Sequence, residues 1–152
     1  MGYIGNLSVN TNQAQVNISN EGYIGNMNAK NQGGNLGVQN NGYIGNANVA
    51  TYGGATQFNQ CPTGYTNNAF FKDQNDFTQI NNQGTFNNLG LQANGALGYI
   101  GLNNAGQVNN LGAQANYGGQ IDINNMFGAI NNLSAQANGQ SHGKQSGINI
   151  WT

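Results

Sequence analysis

Few side chains in this sequence can do chemistry, and their spacing builds none of the usual sites. His142 is the single histidine and lies among Gly, Ser and Lys near the C-terminus, the surroundings of a solvated imidazole with no partner to make it a base or a ligand. Cys61 is the single cysteine, so neither an internal disulfide nor a Cys-x-x-Cys metal site can form. Asp73 and Asp76 lack the Asp-rich spacing of a calcium loop. The 25 glycines do not form a phosphate loop between a strand and a helix. Lys30, Lys72 and Lys144 stand against Glu21, Asp73, Asp76 and Asp122, for a net charge of −1. That balance gives no electrostatic hold on nucleic acid or an acidic membrane. No apolar run is long enough for a membrane span, so no membrane insertion is expected, and the expectation is also that no signal peptide precedes the first repeat. The expectation is a protein that is not an enzyme, with no catalytic residue, no metal and no cofactor.

What these side chains do not offer singly, the chain offers by repetition. The string GYIGN begins at Gly2, Gly22 and Gly42, a period of 20 residues. A second string repeats every 22: NNLGLQAN from Asn87, NNLGAQAN from Asn109 and NNLSAQAN from Asn131. Such periods mark stacked units, each too small to bury its own apolar face. Composition selects the kind of unit. Asn (33), Gln (16) and Gly (25) supply 74 of 152 residues, and only 5% are charged. Helical repeats need long charged side chains on their exposed faces, and Gly disfavours helix by about 1 kcal/mol relative to Ala. A chain rich in amides and poor in charge is often disordered, but here apolar residues make up 37% and recur in phase with the repeat.

Each unit contains two strand-like segments. In the first, Tyr3, Gly5, Leu7 and Val9 alternate with Ile4, Asn6, Ser8 and Asn10, and the next units repeat this from Tyr23 and Tyr43. Alternation with period two is the strand signature and places Tyr, Gly and Leu on one face. The second segment carries Val16 and Ile18, then Leu36 and Val38, then Thr56 and Phe58, then Thr78 and Ile80. In the later units Leu89, Leu111 and Leu133 form an inward row. Between segments lie turn formers such as Gly53-Gly54, Asn94-Gly95 and Asn138-Gly139. The expected fold is all-β, a flattened β-solenoid of about seven stacked strand–turn–strand coils of 20–22 residues, forming one domain over 1–152. At about 4.8 Å per coil, the stack is roughly 34 Å long.

Stacking identical positions accounts for the amides. An Asn or Gln repeated in every coil can hydrogen-bond to the one above and below, whereas repeated charges would repel. Asn6, Asn26 and Asn46 are candidates for one such ladder, Gln92, Gln114 and Gln136 for another, and Asn94, Asn116 and Asn138 for a third. The coil at 60–76, QCPTGYTNNAFFKDQND, departs from the pattern, and within it Lys72–Asp76 is expected to form a wide charged corner.

In period, composition and strand–turn–strand organisation, Tyr3–Ala137 resembles the curlin repeats of the major curli subunits, which are secreted bacterial functional amyloids. The curlin pattern Ser-x5-Gln-x-Gly-x2-Asn-x-Ala-x3-Gln is met in full by no coil. Ser134 and Gln140 have its first spacing, but His142 stands where its Gly belongs, and GYIGN is outside the pattern. The resemblance implies a self-assembling subunit of an extracellular or cell-surface fibre, serving biofilm matrix or adhesion.

The ends agree with that implication. The repeat is in phase from Gly2, and the far end, SGINIWT, alternates Ile148 and Ile150 like a further strand, with Trp151 adding apolar area. Uncapped solenoid ends offer unpaired backbone groups to another chain, and a non-closing contact of that kind gives a filament. The expected partner is therefore the chain itself, head to tail, with surface or matrix components as further partners. The residues expected to build core and assembly are Tyr3, Tyr23, Tyr43, Leu89, Leu111, Leu133, Asn94, Asn116, Asn138, Ile148, Ile150 and Trp151. Two other readings compete. An ice-binding solenoid would use a row such as Thr56 and Thr78, and a receptor- or glycan-binding adhesin would use the Tyr residues and corner loops.

Overall fold

The structure, a computed structural model, describes residues 2–152. It contains strands and turns and, among the described residues, no helix. In chain order the strands are β1 (Tyr3–Asn12), β2 (Gln15–Asn20), β3 (Tyr23–Gln32), β4 (Asn35–Asn40), β5 (Tyr43–Thr51), β6 (Ala55–Gln60), β7 (Tyr65–Gln74) and β8 (Phe77–Asn82). They continue with β9 (Thr85–Asn94), β10 (Tyr99–Asn104), β11 (Gln107–Asn116), β12 (Gln120–Asn124), β13 (Ala129–Asn138), β14 (Gln140–Ser141), β15 (Lys144–Gln145) and β16 (Gly147–Trp151). Odd strands β1 to β13 pair in sequence order as one seven-stranded parallel sheet. Even strands β2 to β12, closed by β16, form a second. The chain is a β-solenoid, each coil giving one strand to each sheet. The last coil interposes a small antiparallel hairpin, β14–β15, before β16.

Register follows the repeat. Tyr3, Tyr23, Tyr43 and Tyr65 are successive partners, as are Leu89, Leu111 and Leu133. The core lies between the sheets. Ile24, Met27, Leu36, Val38, Ile44, Val49, Ile80, Ile100, Val108 and Ile121 are buried in it, and Phe58, Phe71 and Phe86 pack edge-on or tilted at its centre.

Simple alternation along the odd strands is the first correction. Ile24 and Met27 are both buried although three positions apart, because the cross-strand pairing lapses at Gly25 and resumes at Asn26. The lapse recurs in every coil, at Gly5 and Gly45 and then at Asn67, Asn87, Asn109 and Asn131. This break reverses the side-chain parity. Tyr therefore faces out while Ile before the break and Leu or Met after it face in. The same Tyr-out, Ile-in arrangement holds for Tyr99 and Ile100, so the fourth GYIG keeps its orientation although it sits in the other sheet.

Two kinds of corner close each coil. Leaving the odd strand, one residue adopts positive φ at the same place in all coils: Gln13, Gly33, Gly53, Asn75, Gly95, Tyr117 and Gly139, with φ between 53° and 85°. Glycine takes that conformation without strain, and Asn tolerates it better than most. At the opposite corner, space is the constraint. A Cβ on Gly42 would fall on the carbonyl oxygen of Gly22 in the coil before it.

The 60–76 region is more regular than expected. Only its corner Cys61–Gly64 is enlarged, between β6 and β7, while Lys72 and Asp73 lie within β7. Lys72 points outward, but Asp73 is fully buried. The expected wide charged corner at Lys72–Asp76 is thus replaced by a two-residue turn, Asn75-Asp76.

Candidate assembly surfaces

Repeated positions stack into columns, and the columns differ in chemistry. On the outside, Asn6, Asn26, Asn46, Asn68, Asn88, Asn110 and Asn132 form one uninterrupted amide ladder. Each Nδ2 donates to the Oδ1 of the preceding coil over 2.7–2.9 Å. Sequence reasoning found its first three members; the remainder were legible from the same 20- and 22-residue spacing. Beside it Asn67, Asn87, Asn109 and Asn131 form a second column at the parity break. Asn94, Asn116 and Asn138 are joined as expected, at 3.0 and 3.2 Å. Gln92, Gln114 and Gln136 pair in register, but among the described residues no side-chain hydrogen bond joins them.

A further amide column, not anticipated, is internal. Asn20 donates to Asn40 and Asn40 to Gln60; Asn82 donates to Asn104 and Asn104 to Asn125. The column breaks between Gln60 and Asn82, where Gln60 donates instead to the Thr85 carbonyl and leaves Asn82 Oδ1 without a donor. The break coincides with the enlarged corner Cys61–Gly64.

Aromatic columns lie outside. Tyr3, Tyr23, Tyr43 and Tyr65 stack with centroids 5.0, 4.8 and 5.2 Å apart and planes within 10°. Phe77 and Tyr99 repeat the arrangement on the other sheet at 5.3 Å. The Tyr99 hydroxyl donates to Asp122, and burial together with that carboxylate pushes its pKa up to about 12.

The remaining polar column is buried. Thr11, Asn31, Thr51 and Asp73 occupy one inward row, opposite Thr56 and Thr78 of the second sheet. Thr11 donates to Asn31, Thr51 bonds Thr56 and Thr78, and Thr78 donates to Asp73 Oδ2 at 2.9 Å. Asp73 Oδ1 accepts from the Asp76 N–H. Desolvation outweighs these bonds and pushes the Asp73 carboxyl up to about 6. Asp76 itself turns outward and accepts the N–H groups of Gly53 and Gly54 in the coil before it.

The end coils complete the set. Ile4 is 45% exposed and Leu7, Val9, Val16 and Ile18 are half-buried, whereas their partners one coil on, such as Ile24 and Met27, are buried. At the other end Leu89 and Leu111 are buried, but Leu133 is 42% exposed, as are Ile150 at 40% and Trp151 at 52%. The expected assembly residues therefore divide by place in the stack. Tyr3, Tyr23 and Tyr43 are lateral, Leu89 and Leu111 are core, and Leu133, Ile148, Ile150 and Trp151 lie on the terminal coil. Among the described residues no three His, Cys, Asp or Glu side chains converge as a metal site would require. No protein-family model, curated protein or solved structure matches this chain.

Proposed function

We propose that this chain is a structural subunit of an extracellular fibre, polymerising head to tail into a functional-amyloid-like filament for biofilm matrix or adhesion. The observation that carries the reading is the register of the stack, in which equivalent side chains lie over one another from coil to coil in apolar rows and an unbroken outer amide ladder. A second copy in the same register can extend those rows. Seating Leu133 and Ile130 of one copy on Leu7 and Ile4 of the next would continue the columns at the strand spacing of about 4.8 Å. At about 25 cal/mol per Å², covering such a surface favours association. The resemblance to curlin repeats supports the same reading.

The ice-binding alternative loses its feature, because Thr56 and Thr78 face the core and are buried. Electron microscopy of the purified 152-residue chain tests the proposal. The parent should give filaments roughly one coil wide and many subunits long. Ile148→Lys with Ile150→Lys puts charge into the docking strand and should give short or monomeric species with unchanged β-sheet circular dichroism. A parent that stays monomeric, or end variants that polymerise as readily as the parent, would refute head-to-tail growth.

A further inference from the structure

A groove of about 530 Å³ lies along the corner where even strands return to odd ones. Its floor is an outward amide row, one residue per coil: Gln39, Asn59, Asn81, Asn103 and Asn124. Five coils at about 4.8 Å make it roughly 19 Å long. One end is walled by Met126 and Phe127, and Phe127 is 84% exposed. An apolar side chain so exposed has no role in the fold that its contacts reveal.

The donor and acceptor inventory restricts what fits. Asn81 donates to Asn59 at 2.9 Å and Asn103 to Asn81 at 3.0 Å, which uses one N–H of each amide and leaves the other. The carbonyl oxygens of the row keep acceptor positions as well: Asn59 and Asn81 Oδ1 each accept a single bond within it, and Asn103 Oδ1 accepts none among the described residues. Such a floor asks for a ligand that both accepts and donates. A carboxylate or phosphate ester only accepts. An ammonium only donates, and would meet no countercharge, since no residue lining the groove is charged. Hydroxyl groups do both. The area argues against a protein partner: a strip about 19 Å by 10 Å offers roughly 200 Å², against about 800 Å² per partner in a stable complex.

We propose that this groove binds an uncharged oligosaccharide chain lying along the solenoid axis, its hydroxyls on the Asn59–Asn81–Asn103 row and the apolar face of one sugar ring on Phe127. The site is complete within one chain, so it does not depend on fibre formation. Saturation-transfer NMR and titration calorimetry of the 152-residue chain would use cellohexaose and maltohexaose as neutral probes and an oligogalacturonate as the acidic one. At least one neutral hexaose should bind saturably, and the acidic probe at least tenfold more weakly. Phe127→Ala and Asn81→Ala should each weaken binding tenfold or more with unchanged circular dichroism. Leu97→Ala, which removes an exposed apolar side chain from the opposite corner, should leave it unchanged. Absence of binding by both hexaoses, a preference for the acidic probe, or equal effects of Phe127→Ala and Leu97→Ala would overturn the assignment. So would a Phe127→Ala variant whose only change is its sedimentation without sugar, which would assign the corner to a second copy of the chain.

Discussion

Asp73 is the sharpest test of how the core is built. Its row is occupied by Thr11, Asn31 and Thr51 in earlier coils and by Ala93 and Ala115 in later ones, all buried and none charged. Burial raises its carboxyl to about 6 in the folded chain, against an ordinary value of 3.8. Between these values the folded state holds a proton that the unfolded state has released. Stability from this group is therefore full below about pH 4, falls as pH rises, and reaches its lower plateau above about pH 6. The gap corresponds to an effect on the order of 1–3 kcal/mol, the lower figure allowing for screening by water near the adjacent turn. Asp73→Asn should remove the pH dependence and retain the fold, since Asn31 already occupies this row and its Oδ1 accepts the N–H three residues on, as Asp73 does. For a chain of this size each kcal/mol moves the melting temperature by about 2–4 °C. Thermal melts followed by circular dichroism at pH 4.5, 5.5, 6.5 and 7.5 should show the parent losing several degrees across the range. The variant should stay flat and match or exceed the parent at pH 7.5. A parent melting temperature that rises with pH, or a variant less stable than the parent at pH 7.5, would show that the carboxylate is welcome in this core.

Other expectations follow from the columns. Leu111→Asn buries an amide where a leucine is 2% exposed and should cost about 2–4 kcal/mol, whereas Asn110→Ser, which breaks two exposed ladder bonds, should cost under about half of that; chemical denaturation compares them. Gly112 has negative φ and open space around its missing Cβ, so Gly112→Ala should raise stability by about 0.5–1 kcal/mol, while Gly42→Ala should lower it because the Cβ meets backbone. Raising salt to about 1 M should barely change the melting temperature, because amide and apolar contacts hold the stack; a large loss would point to ion pairs as a main support.

How far the sequence was legible depended on which signal carried the information. The spacing of GYIGN and NNLxxQAN gave coil length, strand pairing and register, because a parallel stack must place equivalent residues over one another. Parity was not legible. The break at Gly25–Asn26 reverses inside and outside between Ile24 and Met27, and a Gly-Asn pair has no hydropathy that announces it. Asparagine hid the corner column for a related reason. Asn26 on the surface and Asn40 in the interior are the same residue type at the same period, and only their hydrogen-bond partners tell them apart. Asp73 was misplaced because charge ordinarily signals solvent, and Thr78, which donates to it, and Thr51, its partner one coil before, look like polar surface residues until the fold turns them inward.

The outer asparagine ladder carries an arrow. All six of its bonds run the same way, Nδ2 of the later coil to Oδ1 of the earlier. Seven aligned amides are a dipole with an N–H end at Asn6 and a C=O end at Asn132. Two copies meeting first coil to first coil would bring N–H against N–H, and two last coils would bring oxygen against oxygen, each leaving unmade bonds worth about 1–3 kcal/mol if buried. Only unlike ends satisfy both groups. The ladder thus acts as a vote on orientation, so that a growing stack of these chains would keep one sense from end to end.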